Sequence, residues 1–165
     1  MRLDESTRVA APPQTVWRYL ADPENYLRFM TGITHWEVVG GKPNGLGARY
    51  RILVRVGAAE VGGLVEMVEW NEPFDIAWHS VTGVDHRGRW RIRERGEGRS
   101  RIEYRFAYGI VGGGVAGMVM QLGAALIVRR QMRRTLQQLK RQVEQEQRRL
   151  EAERRRAARQ TAPAW

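Results

Sequence analysis

RIEYRFAYGIVGGGVAGMVMQLGAALIVRRQMRRTLQQLKRQV, residues 101–143, changes its period once along its length. In the first eight residues Ile102, Tyr104, Phe106 and Tyr108 alternate with Arg101, Glu103 and Arg105. A period of two is a half-buried β-strand, apolar on one face and charged on the other. Beyond a run of glycines, Met118, Leu122, Ala125, Met132, Leu136, Leu139, Val143 and finally Leu150 form a stripe spaced by threes and fours. That spacing is one face of a helix. Only Arg129 and Glu146 interrupt it, and no proline appears before Pro163. As one helix, 114–157 is roughly 65 Å long, about twice the width of a small domain. Its first half can cover a sheet, and its second half must overhang. Glu144 precedes Arg148, and Glu151 precedes Arg155, by four residues, a stabilising spacing on a helix surface.

Upstream, the period of two recurs. Trp36 and Val38 share a face, as do Ala48, Tyr50, Ile52, Val54 and Val56. Ile76, Trp78 and Ser80 follow, then Trp90, Ile92 and Glu94; Val61 to Trp70 is a strand with a less regular pattern. Turn residues at 40–45, 71–73, 83–85 and 96–98 separate them. Closely spaced strands with short turns make an antiparallel meander. One face is aromatic and aliphatic. The other carries Arg and Glu, whose cross-strand pairs are each worth a few tenths of a kcal/mol. At the front, Leu3, Glu5, Thr7 and Val9 mark a further strand. Pro12-Pro13 opens a short helix with Val16, Trp17 and Leu20 on one face. Asp22-Pro23 caps a second one, 24–30, which carries Tyr26, Leu27, Phe29 and Met30.

The chain has 165 residues and no cysteine. The length suits one domain with an appendage. Disulfides, thiolate metal sites and a cysteine nucleophile are excluded, and a reducing compartment such as the cytoplasm fits. Of 28 basic residues only Lys42 and Lys140 are lysine, a sign of GC-rich coding. The net charge of +10 is uneven: 129–165 holds 12 basic and 4 acidic residues, leaving the rest nearly neutral. The first eleven residues carry Asp4 and Glu5 without an apolar run and do not read as a secretory signal. The stretch 106–128 is uncharged, but six glycines break it. Its strongly apolar part, 115–128, suits a buried helix rather than a membrane span.

His35, His79 and His86 match no metal spacing. Ser80, Asp85 and His86 have the residue types of a triad, but they lie in one hairpin without a nucleophile elbow. Gly112-x-Gly114-x-x-Gly117 spells a dinucleotide fingerprint, yet no second strand follows to supply the acidic ribose ligand. No metal or cofactor is expected.

The element order is strand, two short helices, six-stranded meander, long helix. It resembles the helix-grip fold of the START-like (SRPBCC) superfamily, which includes polyketide cyclase/dehydrases, the birch-pollen-allergen type and lipid-transfer proteins. The segment Val9-Ala10-Ala11-Pro12-Pro13-Gln14-Thr15-Val16-Trp17 resembles the opening of the polyketide cyclase/dehydrase branch. So does Asp22-Pro23-Glu24-Asn25-Tyr26 at the second helix. Gly45-x-Gly47, 68–73 and 136–144 fall where that family places its glycine turn, its strand-then-proline turn and its helix ending. The resemblance implies an α+β helix-grip domain over 1–144. A curved antiparallel sheet of about seven strands would wrap a long C-terminal helix, with two short helices after the first strand. Residues 145–165 form a basic helical extension outside the resemblance.

A fold of this kind would enclose a cavity between sheet and helix. The candidate ligand-binding residues are Trp36, Tyr50, Ile52, Met67, Trp78, Trp90, Ile92, Tyr104, Phe106, Met118 and Leu122, with Tyr26 and Phe29 near a mouth. Broad aromatics and adaptable methionines suit a flat or greasy ligand such as a lipid, isoprenoid or polyketide-like ring system, and they equally suit a filled core. Tyr50, Tyr104, Tyr108, Ser80 and Glu94 are the polar residues of inward parity. If the protein is an enzyme, it is an aldol-type cyclase/dehydratase with Tyr104 polarising a ketone and Glu94 as base. The tail leaves three readings open: a solvated helix, a homodimer through the Leu136, Leu139, Val143 and Leu150 stripe, or attraction to an anionic membrane or nucleic acid, the membrane making the protein peripheral there. No nucleic-acid-binding signature accompanies the charge.

Overall fold

Leu3 and Val9 anchor β1 (Arg2–Val9) to the far end of the chain, where it pairs antiparallel with β7 (Ser100–Tyr108). Between them come β2 (Ile33–Val39), β3 (Arg49–Val56), β4 (Ala59–Asn71), β5 (Asp75–Ser80) and β6 (His86–Glu94). The seven strands form one antiparallel sheet in the order β1-β7-β6-β5-β4-β3-β2. Two helices follow β1: α1 (Pro13–Ala21), then a single 3-10 turn (Pro23–Asn25) that runs into α2 (Tyr26–Phe29). The long helix α3 (Val115–Thr161) closes the chain. In this computed structural model, residues 1–109 and 115–161 are described, with side chains over 1–109 and 123–160. The architecture is the α+β helix-grip arrangement expected from the sequence.

Local chemistry explains the boundaries. Pro13 stands in the first turn of α1, where its missing N–H costs nothing. The Asp22 carboxylate accepts a hydrogen bond from the Glu24 N–H at 3.0 Å and starts the next turn. The irregular pattern of β4 has a mechanical cause. A bulge between Met67 and Glu69 leaves Val68 unpaired and exposed. Val65 and Met67 point inward before it, and Trp70 recovers the inner face after it to meet the Trp17 ring at 5.2 Å. Opposite Trp78 on β6 stands Gly88. A Cβ at this glycine would lie 2.0 Å from the indole, so only glycine lets Trp78 lie across the strand.

Trp90 is the centre of the core. It is fully buried, stacks on Tyr104 at 4.0 Å and meets Phe29 and Trp78 through further ring contacts. Met132, Leu136, Leu139 and Val143 of α3 are buried in the same cluster. The stripe considered for pairing two copies is thus largely buried within one chain, and Leu150 alone of its far end stays half-buried. Arg129, the stripe's first interruption, finds Glu5 at 3.4 Å, and Arg133 finds the same carboxylate at 3.1 Å. Glu5 is the acidic residue on the inward parity of β1. Farther along, Thr15 donates to Gln147 at 2.7 Å, so α3 is held to the domain a little beyond residue 144. Residues 151–160 are all exposed. At 47 residues, α3 is roughly 70 Å long.

The outer face of the sheet is charge-paired. Arg49 reaches Glu66 at 2.7 Å, Arg91 reaches Asp75 at 2.9 Å, and Arg89 is hydrogen-bonded to Glu69. Such pairs contribute about 1 kcal/mol or less each.

Candidate functional site

The concave face of the sheet is filled at one end and hollow at the other. Toward the β5–β6 and β3–β4 turns a cavity of about 510 Å³ lies between sheet, α2 and α3. Its apolar walls come from the sheet's inner face: Ile52, Val54 and Val56 on β3, Val61 and Val65 on β4, Trp78 on β5, and Tyr104, Phe106 and Tyr108 on β7. Tyr26, Met30, Ile33 and Trp36 close one side, while Ala124, Val128, Gln131, Met132 and Thr135 of α3 form the roof. Among the described residues no Asp, Glu, Lys or Arg lines it.

Six of the residues proposed from the sequence meet here: Tyr26, Trp36, Ile52, Trp78, Tyr104 and Phe106. Five others, Phe29, Tyr50, Met67, Trp90 and Ile92, are buried but belong to the filled end of the core and not to the wall. Alternation tells which face a side chain takes. It does not tell how far along the strand the packing stays closed. The side chains of Met118 and Leu122 lie outside the described residues, as do Gly112 and Gly114 of the glycine run. Glu94 is not brought to this group. It sits exposed at the last position of β6, opposite the buried Ser100. Ser80 and His86 meet only through the His86 backbone N–H, which donates to Ser80 Oγ at 3.0 Å, so the triad types form no triad. His35 and His79 are exposed.

Sequence reasoning missed His86, Thr31, Gln131 and Thr135. His86 begins β6 on the same face as Gly88 and Trp90, so its signal was the strand parity extended two residues toward the turn. Its imidazole packs 5.5 Å from Phe106, and its Nδ1 lies 2.8 Å from the Val84 carbonyl. A carbonyl only accepts, so Nδ1 carries the proton and Nε2 is bare in the neutral ring. Burial lowers the His86 pKa, against the opposing pulls of the Val84 carbonyl and the Asp85 charge. Thr135 Oγ1 accepts from the Thr31 N–H at 2.9 Å, while Thr31 Oγ1 and Trp36 Nε1 are buried without a partner.

The tyrosines divide by role. Tyr50 donates to the Pro43 carbonyl at 2.8 Å, and burial pushes its hydroxyl up to about 12. Tyr26 and Tyr104 are pushed up further, chiefly by burial, and stay protonated. They act as hydrogen-bond donors, not as bases. Tyr26 stacks on Trp36 at 4.2 Å.

The His86 shift has a consequence for stability. The unfolded chain takes up its proton near the ordinary value of 6.5, and the folded chain only at lower pH. Stability is therefore full above about 6.5 and is lost as pH falls through that value toward the folded one. Urea midpoints measured from about pH 7.5 down to 5.5 should fall more steeply for the wild type than for His86→Phe. Parallel slopes would assign the acid sensitivity to other groups.

A second, larger hollow of about 970 Å³ lies on the opposite face of the sheet, bordered by Glu69, Arg87, Arg89 and Arg105. Arg89 and Arg105 are paired with Glu69 and Asp4, and the hollow is an open groove that mixes these charged side chains with Val68, Ala77 and Ala107, while Trp78, His86, Phe106 and Tyr108 border both it and the cavity. It does not suit an apolar ligand.

Among the described residues no helix is long and apolar enough to cross a membrane. In the same residues no group of three or more His, Asp or Glu could hold a metal ion.

Known proteins place this geometry. Among curated proteins none matches the sequence. A Thermus thermophilus protein of known structure superposes with a TM-score of 0.75 at 20% identity, over 87% of this chain and 97% of that one. The Zhui aromatase/cyclase of a Streptomyces species superposes at 0.73 with 19% identity, over 87% and 93% of the two chains. A START superfamily protein from Mycobacterium smegmatis gives 0.63 at 15% identity, over 90% and 98%. At these identities the likeness is one of fold. The sequence of residues 1–144 matches the family model described as polyketide cyclase / dehydrase and lipid transport. With most of its length matched, the chain belongs to the polyketide cyclase/dehydrase and lipid transport family.

Proposed function

We propose that the protein encloses one neutral, largely apolar small molecule, a lipid, isoprenoid or polyketide-like ring system, in the cavity between sheet and α3. The observation that carries the proposal is the wall itself. About 510 Å³ is bounded by aliphatic and aromatic side chains with no charged residue among those described. Sites for small ligands commonly have such volumes and a few placed polar groups. A charged ligand would lose its hydration there without gaining a partner. The family description, with both cyclisation and lipid transport in it, supports the same reading.

An aldol-type cyclase/dehydratase activity has weaker support. Tyr104 remains a donor in the wall, but Glu94, the base considered for that chemistry, is exposed at a strand end. A cytoplasmic location, possible for a chain without cysteine, is part of the proposal. Anionic-membrane contact through the tail is a separate proposal that rests on its sequence, while homodimer formation has less support, since of the stripe read for it only Leu150 stays outside the core. For the membrane contact, the exposure of 151–160 is the supporting feature.

The test is mass spectrometry of the purified protein under native and then denaturing conditions. We expect an adduct of one neutral molecule per chain that is released on denaturation. A bare chain mass, together with no saturable binding of the neutral fluorophore phenylnaphthylamine, would overturn the proposal.

A further inference from the structure

We infer that His86 reads a hydroxyl group on the enclosed ligand, accepting its proton at Nε2, so that the cavity selects hydroxylated ring or terpenoid compounds over fatty acids and bare hydrocarbons. The inference rests on the ligand cavity proposed above and adds the chemistry that discriminates within it.

The imidazole is fixed at three points. Its backbone N–H is bonded to Ser80 Oγ, its Nδ1–H to the Val84 carbonyl, and its face packs near Phe106. The residue is 8% exposed and borders the cavity as well as the outer groove. Val84 is two residues back in the same chain, so the tautomer is set locally and does not await a ligand. Nε2 has no hydrogen-bond partner among the described residues. A bare imidazole nitrogen accepts one hydrogen bond and donates none.

Of the neighbouring polar groups in the wall, some are engaged, some are donors, and the unpartnered Thr31 Oγ1 is buried away from the free space. Tyr108 donates its hydroxyl to Met1 Sδ at 3.4 Å, and Gln131 donates its amide to the Arg55 carbonyl. Trp36 Nε1, a donor without a partner, is buried behind the wall, and the Tyr104 hydroxyl stays protonated as a donor. The Tyr104 hydroxyl therefore meets a ligand carbonyl on one side of the cavity, and the acceptor on His86 meets a ligand hydroxyl near the β5–β6 turn. A hydrocarbon would strip water from Nε2 and give nothing back, which is the costly case for a buried polar atom. A carboxylate would face the nitrogen lone pair with no cation in the wall.

The experiment is displacement of phenylnaphthylamine by naphthol, methoxynaphthalene and naphthoic acid at neutral pH, with wild type and His86→Phe. The expected result is that wild type binds naphthol about tenfold more tightly than methoxynaphthalene, whose oxygen has no proton to give. Naphthoate should compete poorly. His86→Phe keeps an aromatic ring against Phe106 and should weaken naphthol to the level of methoxynaphthalene. Nitrogen NMR of the wild type provides a readout that does not depend on the variant folding. The His86 Nε2 signal should move on addition of naphthol and hold still with methoxynaphthalene. Equal affinities in wild type, a preference retained in His86→Phe, or an unmoved Nε2 signal would each overturn the inference and leave the cavity standing. Failure of phenylnaphthylamine to bind at all would overturn the cavity reading and this inference with it.

Discussion

Trp90→Ala should lower the unfolding free energy by about 3–5 kcal/mol in urea titration, and Trp90→Phe by about half of that or less. Trp90 is fully buried between the Tyr104 ring, stacked at 4.0 Å, and the edge of Phe29 at 6.0 Å. Removing the indole opens a hole at the junction of β6, β7 and α2, where the surrounding rings are too large to collapse into it. The contrast with phenylalanine comes from the indole nitrogen. Nε1 is buried and makes no well-aligned hydrogen bond, with the Tyr26 hydroxyl nearby, so its loss breaks at most a weak contact and removes a polar atom that burial penalises. Phenylalanine also keeps a ring for Tyr104 to stack on, a contact worth about 0.5–1.5 kcal/mol. Equal losses in the two variants would mean that Nε1 has a partner, such as a bound water.

A second large effect is expected at the cavity. The double variant Val54→Trp/Val61→Trp should reduce phenylnaphthylamine affinity by about a hundredfold or more while leaving stability within about 2 kcal/mol of wild type. Val54 and Val61 are directly opposed on β3 and β4, and both side chains face the hollow. Two indoles there occupy ligand space. In a filled core the same substitutions would have nowhere to go and would unfold the domain. The pair of readouts therefore separates an empty cavity from a packed one: lost binding with retained folding means a cavity, and lost folding means a core.

Much of the fold was legible because period and turns are local properties. The switch from alternation in 101–108 to a three-and-four stripe marked β7 and α3, and Asp22-Pro23 marked the break between α1 and the next turn. Two kinds of information were not local. The first is pairing across the chain. Glu5 shares the inner parity of β1 with Leu3 and Val9, Arg129 interrupts the α3 stripe, and together with Arg133 they form one ion-paired cluster. Neither sequence neighbourhood contains the other partner. The second is depth along a strand. Tyr50, Ile52, Val54 and Val56 share a face, yet only the last three line the cavity. What separates them is where α2 and α3 cross the sheet, which strand periodicity does not encode. His86 was missed for a related reason, since a residue at a strand's first position looks like part of the turn. Glu94 was over-read at the other end of the same strand, where parity is inward but the last residue is exposed.

The central claim is that the hollow between sheet and α3, and no other surface, takes a neutral apolar ligand. The most direct measurement is a crystal structure of the protein soaked with iodonaphthalene, locating the iodine by its anomalous scattering. A ligand cavity predicts one strong iodine peak inside the walls formed by Ile52, Val65, Trp78 and Phe106. An iodine peak only in the outer groove beside Arg89 and Arg105, or none in a hollow closed by repacked side chains, would contradict it.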